Sequence, residues 1–501
     1  MTARPSPRSS SSGRGRLALV TRVGLVAVIG IGATSAMPMT AVAVPGVSRT
    51  ISPPQISGPV PSENPVGPSI PTKRAVAQCI ETIASKGDYI SPPASFALLG
   101  VEKAWEFSRG AGQRVAVIDT GVFRHPRLSV TGGGDYVSSG DGTQDCDGHG
   151  TAVAGLIAAK DSSNDGFAGI APDASIIAIR QTSAAYEPAD TQRESNDTKI
   201  KPDGYGDVAT LARAVVRAVN LRATVINISE GACRPAGTDL NDRALGAAVK
   251  YAYDRNVVVV AAANNVGQRN EGCGTQNSAA LGGTDVDPWA NVVTKSSPAY
   301  FSPYVVAVGS VENDGRPSSY SLAGPWVTVA APGSDLVSLN IAAKPPIIDA
   351  FRADQGSSPL TGTSFATPYV SGLAALIRAR FPRLTARQVI DRITRTAHHP
   401  SDGRDGAVGY GLIDPVAALT TTTPDVAPAG ADPADPRTGD TRDVYAAEPV
   451  RPQVNPAQPS SVPRYVALGV SAGAVLLALA AWMLLRRRNG DRDQLREGID
   501  Y

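Results

Sequence analysis

Histidine is scarce in this chain, with four residues in 501, and cysteine is equally scarce, with four. No CxxC pair occurs and no Cys/His cluster has zinc-ligand spacing, which argues against a zinc module. An excess of one charge is also missing. Forty-seven Lys and Arg face 45 Asp and Glu, for a formal net charge of +2. Such a balance gives no electrostatic footprint for a polyanion, so no nucleic-acid partner is expected. The acidic loop GDGTQDCDG brings Asp141, Asp145 and Asp147 together in sequence. It lacks calcium-loop spacing, however, with Thr143 where a ligand would stand, and no metal or cofactor is expected.

What is present is unevenly spread. Hydrophobic residues make up 42%, enough for a sizeable core, while the 50 glycines and 40 prolines cluster in particular segments. Near the start, Arg14, Arg16 and Arg22 precede an apolar run over 23–36 and then Ala41-Val42-Ala43. A basic region, a short apolar run and an A-x-A site predict a secretory signal peptide over 1–43. Near the end, the apolar run 466–485 is 20 residues long and is followed at once by Arg486, Arg487 and Arg488. That length spans a bilayer, and the arginines should stay on the cytoplasmic side. The expected order is then a Pro-rich extension over 44–89, a folded domain over 90–420, and a Pro-rich stalk over 421–463. A membrane helix over 464–488 and a cytoplasmic tail over 489–501 follow. The domain would lie outside the cytoplasm on a single-pass anchor. An exported chain with four cysteines implies two disulfides, with three pairings open.

Within the domain, short apolar runs alternate with helical patterns. RVAVI, ASIIAI, TVINI and VVVV read as buried strands, and TAVAGLIAA and DLNDRALGAAVKYAYDR as helices. Between them, Val208, Leu211, Ala212, Val215, Val216 and Val219 share one helical face. This pattern predicts an α/β fold with a mostly parallel sheet covered by helices on both faces. The polar stretch 181–206 has no period and is expected to be a surface loop.

In such sheets, reactive groups collect where strands hand over to loops. Asp119 follows RVAVI in IDTGV, and His149 opens a helix in DGHGTAVAG. Asn264 and Asn265 follow VVVV in VAAANN, and Ser364 stands in LTGTSFATPYVSGLAALI, a run with no base of its own. Singly, each residue is as well explained as a cap or a turn. His125 belongs to a loop beside Pro126, and the adjacent His398 and His399 suit a surface turn. The order Asp, His, Ser distinguishes this arrangement from two other serine hydrolase orders. With IDTGV, DGHGTAVAG, VINIS, VAAANN and GTSFATPYVSG in place, the chain closely resembles the subtilisin family over about 90–420.

The resemblance implies a subtilisin-like fold and a serine endopeptidase acting on protein substrates. Asp119 would orient His149, His149 would act as base and then acid, and Ser364 would be the nucleophile. Asn265 and the Ser364 N–H would bind the oxyanion. Ser364 would sit at the positive end of an apolar helix, at once cap and nucleophile, with Pro368 inside the first turn. Ser229, Glu230 and Gly231 match the segment that lies against substrate. Glu230 stands where many subtilisins are apolar, and would allow polar or basic substrate residues. Asn264 stands where many have glycine, which would narrow the specificity pocket. The whole architecture resembles the mycosins, membrane-anchored subtilisin-like proteases of type VII secretion. It implies a partner in the secretion membrane complex and an extension that wraps the catalytic domain. It also implies the pairings Cys79–Cys146 and Cys233–Cys273. A mainly structural part in that complex, with proteolysis secondary, is the alternative reading.

Overall fold

The computed structural model describes residues 52–84, 91–190, 204–267, 273–281, 288–342, 346–353, 356–422 and 483. The expected signal peptide and tail, the expected stalk beyond residue 422, and all of the expected membrane helix but Met483, lie outside these residues. Among the described residues, no helix is long and apolar enough to cross a membrane.

The extension carries β1 (Thr72–Arg74) and β2 (Thr82–Ala84). The domain continues through α1 (Ala94–Leu99), α2 (Val101–Ala104), β3 (Arg114–Asp119), β4 (Val130–Asp135), α3 (His149–Ala158), β5 (Ser175–Arg180) and β6 (Tyr186–Pro188). Then come α4 (Val208–Asn220), β7 (Val225–Ile228), β8 (Ala232–Pro235), α5 (Arg243–Asp254) and β9 (Val258–Ala262). The last part holds β10 (Thr294–Ser297), β11 (Val305–Val311), β12 (Val327–Pro332), β13 (Ser338–Leu339), β14 (Ile347–Ala353) and β15 (Gly356–Pro359). Three helices close it: α6 (Thr363–Arg380), α7 (Ala386–Thr396) and α8 (Pro415–Thr420).

Seven strands form the central sheet in the order β12-β11-β9-β7-β3-β5-β4, and every pairing in it is parallel. The strands read as continuous apolar runs because both faces are covered. Within β3, Val115 and Val117 face one core with Val153 and Leu156 of α3 and Val370 and Leu373 of α6. Ala116 and Ile118 face the other core, with Leu211 and Val215 of α4 and Leu245 and Val249 of α5. The chain leaves β3 toward β5 and later returns to β7 on its other side, so the sheet switches direction at β3. Asp119 is the last residue of that strand, at the crevice where such sheets gather their ligands.

Helix α4 begins where the sequence places it. Asp207 caps it by accepting from Thr210 N, and Thr210 returns the bond in a capping box. Two expectations need correction. The stretch 181–206 is not simply a surface loop, because Gln181, Thr182 and Ser183 are buried and β6 pairs antiparallel with β1. Three-residue strands carry too few side chains to show a period. Pro368 is not in the first turn of α6 either: the N-cap is Gly362, and Pro368 stands five residues beyond Thr363.

The extension lies along the domain through named contacts. Lys73 sits opposite Glu187 in the β1–β6 register and pairs with it at 3.2 Å. Arg217 reaches Glu63 at 3.2 Å, Tyr136 donates to the Glu63 carbonyl at 3.0 Å, and Arg213 donates to Pro65 O at 2.8 Å. Cys79 is bonded to Cys146, and Cys233 to Cys273. These are the two pairings that the resemblance implied.

Candidate active site

Three loop ends converge above the sheet. Asp119 is fully buried at the end of β3. Its Oδ1 accepts from Thr120 N at 2.7 Å and lies 2.7 Å from His149 Nδ1. The approach depends on glycine: a Cβ on Gly150 would stand 2.0 Å from the Gly121 carbonyl and 3.1 Å from Asp119 Oδ1. His149 is the first residue of α3, partly open to solvent. Its ring packs against Phe365 at 4.9 Å between centroids, which sets it beside the start of α6, where Ser364 precedes Phe365.

The turn before His149 is held by Asp145. That carboxylate accepts from Thr120 Oγ1 at 2.9 Å, Gly148 N at 2.8 Å, Thr151 N at 2.8 Å and Thr151 Oγ1 at 2.6 Å. Burial pushes its pKa up to about 6, a rise the threonine bonds restrain and nearby Asp147 adds to. Asp141 bonds Thr143 and Arg124, and Asp147 bonds Ser183 and Ala184 N, so the three acidic residues serve separate local purposes. The importance of Asp145 was missed from sequence, where it reads as one of several acidic loop residues. Its signal is the spacing to Thr151, which lets one carboxylate span a helix start.

Ser364 is the second residue of α6, partly exposed. It is not the cap, because Gly362 holds that place. The Ser364 N–H is one of the four first-turn donors with no helical acceptor. Asn265 Oδ1 accepts from Thr363 N at 3.0 Å and from Thr363 Oγ1 at 3.1 Å, which fixes the orientation of its amide. A Cβ built on Gly362 would stand 3.1 Å from Ser364 Oγ and 3.3 Å from Asn265 Nδ2. The hydroxyl and the amide donor therefore flank one small space. A carbonyl seated there would meet a hydroxyl nucleophile on one side and two N–H donors on the other.

Ser229 is buried and donates to the Ser364 carbonyl at 2.8 Å. It accepts in turn from Asn227 Nδ2 at 2.9 Å, whose Oδ1 takes the Ser371 hydroxyl at 2.8 Å. Glu230 Oε1 lies 3.8 Å from His149 Nδ1. A Cβ on Gly231 would meet Asn264 Nδ2 at 2.5 Å, so Asn264 packs directly against Gly231. Asn264 has φ 74°, a conformation that asparagine tolerates better than most side chains, and donates to Ser296 Oγ at 2.7 Å. Ligand atoms of Asp119, His149 and Glu230 lie within 4.8 Å of one another. Asp119 and His149 lie 2.7 Å apart, at hydrogen-bond distance from each other. His125 is buried elsewhere, accepting Arg127 N at 3.1 Å, and His398 pairs with Asp414 at 3.2 Å.

The Subtilase family matches residues 110–411. Mycosin-1 of Mycobacterium tuberculosis is 44% identical over 394 residues, covering 78% of this chain and 85% of the relative. The chain belongs to the subtilase family, as a mycosin. It is therefore a subtilisin-like serine protease. Two solved structures show how far the likeness extends. One is the serine protease MycP1, described as an essential component of the type VII (ESX-1) secretion system. It is 43% identical with TM-score 0.67, over 74% of this chain and all of that one. The other belongs to the periplasmic assembly of the ESX-5 inner membrane complex, 42% identical with TM-score 0.68, over 76% of this chain and 97% of that one.

The extension also reaches the turn before His149. A Cβ on Gly148, the residue before His149, would stand 2.8 Å from the Phe351 ring and 3.3 Å from Ile80 Cγ2. Ile80 belongs to the extension and donates its N–H to the Cys146 carbonyl at 2.9 Å. Strand β2 joins β14 in the same corner. The extension thus helps build the wall behind the histidine turn.

Proposed function

We propose that this mycosin cleaves peptide bonds with Asp119, His149 and Ser364, through an acyl-enzyme. The observation that carries the reading is the 2.7 Å Asp119–His149 bond on a ring packed against the start of α6. Asp119 fixes the ring with Nδ1 protonated and stabilises the imidazolium that forms when the other nitrogen takes the Ser364 proton. The Ser364 oxygen attacks the scissile carbonyl. Charge on the resulting tetrahedral oxygen is met by Asn265 Nδ2 and the Ser364 N–H, aided by the positive end of α6. His149 then returns the proton to the leaving amine, and a water repeats the sequence to release the acyl group.

Ser229, Glu230 and Gly231 form the edge along which the substrate backbone lies, with Asn264 behind Gly231 narrowing the pocket. The signal peptide 1–43 and the helix 464–488 place the domain outside the cytoplasm on a single-pass anchor, with 489–501 inside. Residues 421–463 act as the stalk, and 44–89 as a permanent strap. By likeness to the ESX-1 component and the ESX-5 assembly, the enzyme works at a type VII secretion membrane complex and processes its exported proteins. A second reading, a mainly structural subunit of that complex, is favoured by the ESX-5 assembly containing a similar chain.

Comparing the exported proteins of wild-type and Ser364→Ala cells by N-terminal sequencing separates the readings. Loss of defined cleavages with secretion intact supports proteolysis beside a separate structural role. Identical N-termini in both strains would remove the reading that the enzyme processes exported proteins.

A further inference from the structure

The groups around the His149 ring can be named element by element. From β3, Asp119 Oδ1 lies 2.7 Å from Nδ1. From the segment after β7, Glu230 Oε1 lies 3.8 Å from the same nitrogen, on a side chain only 14% exposed. Helix α6 presents the uncharged Phe365. The turn before α3 carries Asp145, committed to Thr120, Gly148 and Thr151, and Asp147, committed to Ser183 and Ala184. The extension and β14 contribute Ile80 and Phe351 beside Gly148, while Glu81 and Arg352 pair with each other at the surface. Two carboxylates thus face one imidazole nitrogen.

We infer that Glu230 is a positioning residue for peptide hydrolysis, a second carboxylate that steadies His149 and favours its protonated form as it takes the Ser364 proton. This deepens the triad reading and rests on it. At 3.8 Å the carboxylate is beyond good hydrogen-bond distance and acts through its field. A negative charge within about 4–6 Å favours a cation, and partial burial keeps that attraction from being fully screened. The benefit falls on the transition state, where the imidazolium forms. The cost falls on the free enzyme, whose base holds its proton to higher pH. In sequence this glutamate reads as a group facing substrate. The geometry turns it to the base, and the two assignments predict different experiments.

The test follows the rate at which a fluorophosphonate probe labels Ser364 in the full-length protein from pH 5 to 9. That reaction needs the nucleophile and its base but no natural substrate. In Glu230→Gln the acid limb moves down by about one pH unit. One unit below the wild-type limb, the variant then retains about fivefold more of its plateau rate than wild type does. Glu230→Asp, a methylene shorter, falls between them. Peptides differing only in Lys or Ala beside the scissile bond lose kcat alike in Glu230→Gln, with KM little changed.

An unmoved limb in folded Glu230→Gln and Glu230→Asp overturns the inference and leaves the triad standing. So does an effect confined to KM for the Lys peptide, which would make Glu230 a substrate determinant. A folded wild-type protein unlabelled at every pH, like its Ser364→Ala control, removes the triad reading and this inference together.

Discussion

The hydroxyl of Ser229 donates a 2.8 Å hydrogen bond to the backbone carbonyl of Ser364. In an uninterrupted helix that carbonyl would accept from the N–H four residues on. The residue four on is Pro368, which has none. Ser229 therefore fills the vacancy that proline creates, and ties the substrate-edge segment to the nucleophile turn. Ser229→Ala should leave that partly buried carbonyl without this partner, at about 1 kcal/mol. Pro368→Ala restores a helical N–H to it. We expect Ser229→Ala to lower the melting temperature and the labelling rate of Ser364, and Pro368→Ala in the same chain to recover part of both. A double-mutant cycle with strictly additive losses would show the two residues to be uncoupled.

Asn265 does two jobs with the two ends of one amide. Its oxygen accepts from Thr363 N and Oγ1, and its nitrogen faces the space beside Ser364. Asn265→Asp keeps the acceptor and removes the donor. It should cut kcat by at least the 10²–10³-fold known for the subtilisin oxyanion asparagine, because its charge also opposes the oxyanion, with KM nearly unchanged. Asn265→Ala removes both ends and should also lower the melting temperature. Steady-state kinetics beside thermal unfolding distinguish them. Comparable kcat in Asn265→Asp and wild type would take Asn265 out of the oxyanion hole.

How much of this could be read from sequence depends on how locally each feature is encoded. The parallel sheet is legible because β3, β5, β7 and β9 are buried on both faces and so become continuous apolar runs. Asp119 ends such a strand and Asn265 closely follows one, while His149 and Ser364 open helices, each within a short glycine- or alanine-rich motif. Strands β1 and β6 are not legible, since three residues each are too few to show a period. The start of α6 is misplaced in sequence because its cap is Gly362, which contributes no side-chain signal. The direction of Glu230 is set by chain segments brought together only in the fold.

The strap should contribute stability without restraining catalysis. Cys79–Cys146 closes a sequence separation of 67 residues and ties the extension beside Ile80 to the loop that leads to His149. Replacing both cysteines by serine should cost about 2–4 kcal/mol of unfolding free energy. The acyl-transfer rate per folded molecule should stay the same or fall, because Ile80 supports Gly148. Denaturant unfolding paired with active-site titration measures both quantities. A rise in kcat on cutting the strap loose would mean that it inhibits.

Two buried groups respond to acid with opposite sign. Burial, with Arg127 adding to it, pulls the His125 imidazole down to about 4 from 6.5. Its folded pKa lies below the unfolded one, so its contribution is complete above about pH 6.5 and is lost as pH falls toward 4. Shielded in part by nearby solvent, that loss amounts to about 2 kcal/mol. Asp145 runs the other way. Burial pushes it up to about 6 from 3.8, so the folded protein takes up this proton first, and stability is gained as pH falls through that range. The two contributions therefore partly offset each other between about pH 6 and pH 4. His125→Asn retains an oxygen that can accept the Arg127 N–H and removes the titration. Between pH 7 and pH 4.5, denaturant unfolding should show the variant gaining on wild type by up to about 2 kcal/mol. Curves that stay parallel across that window would assign the acid sensitivity to another group.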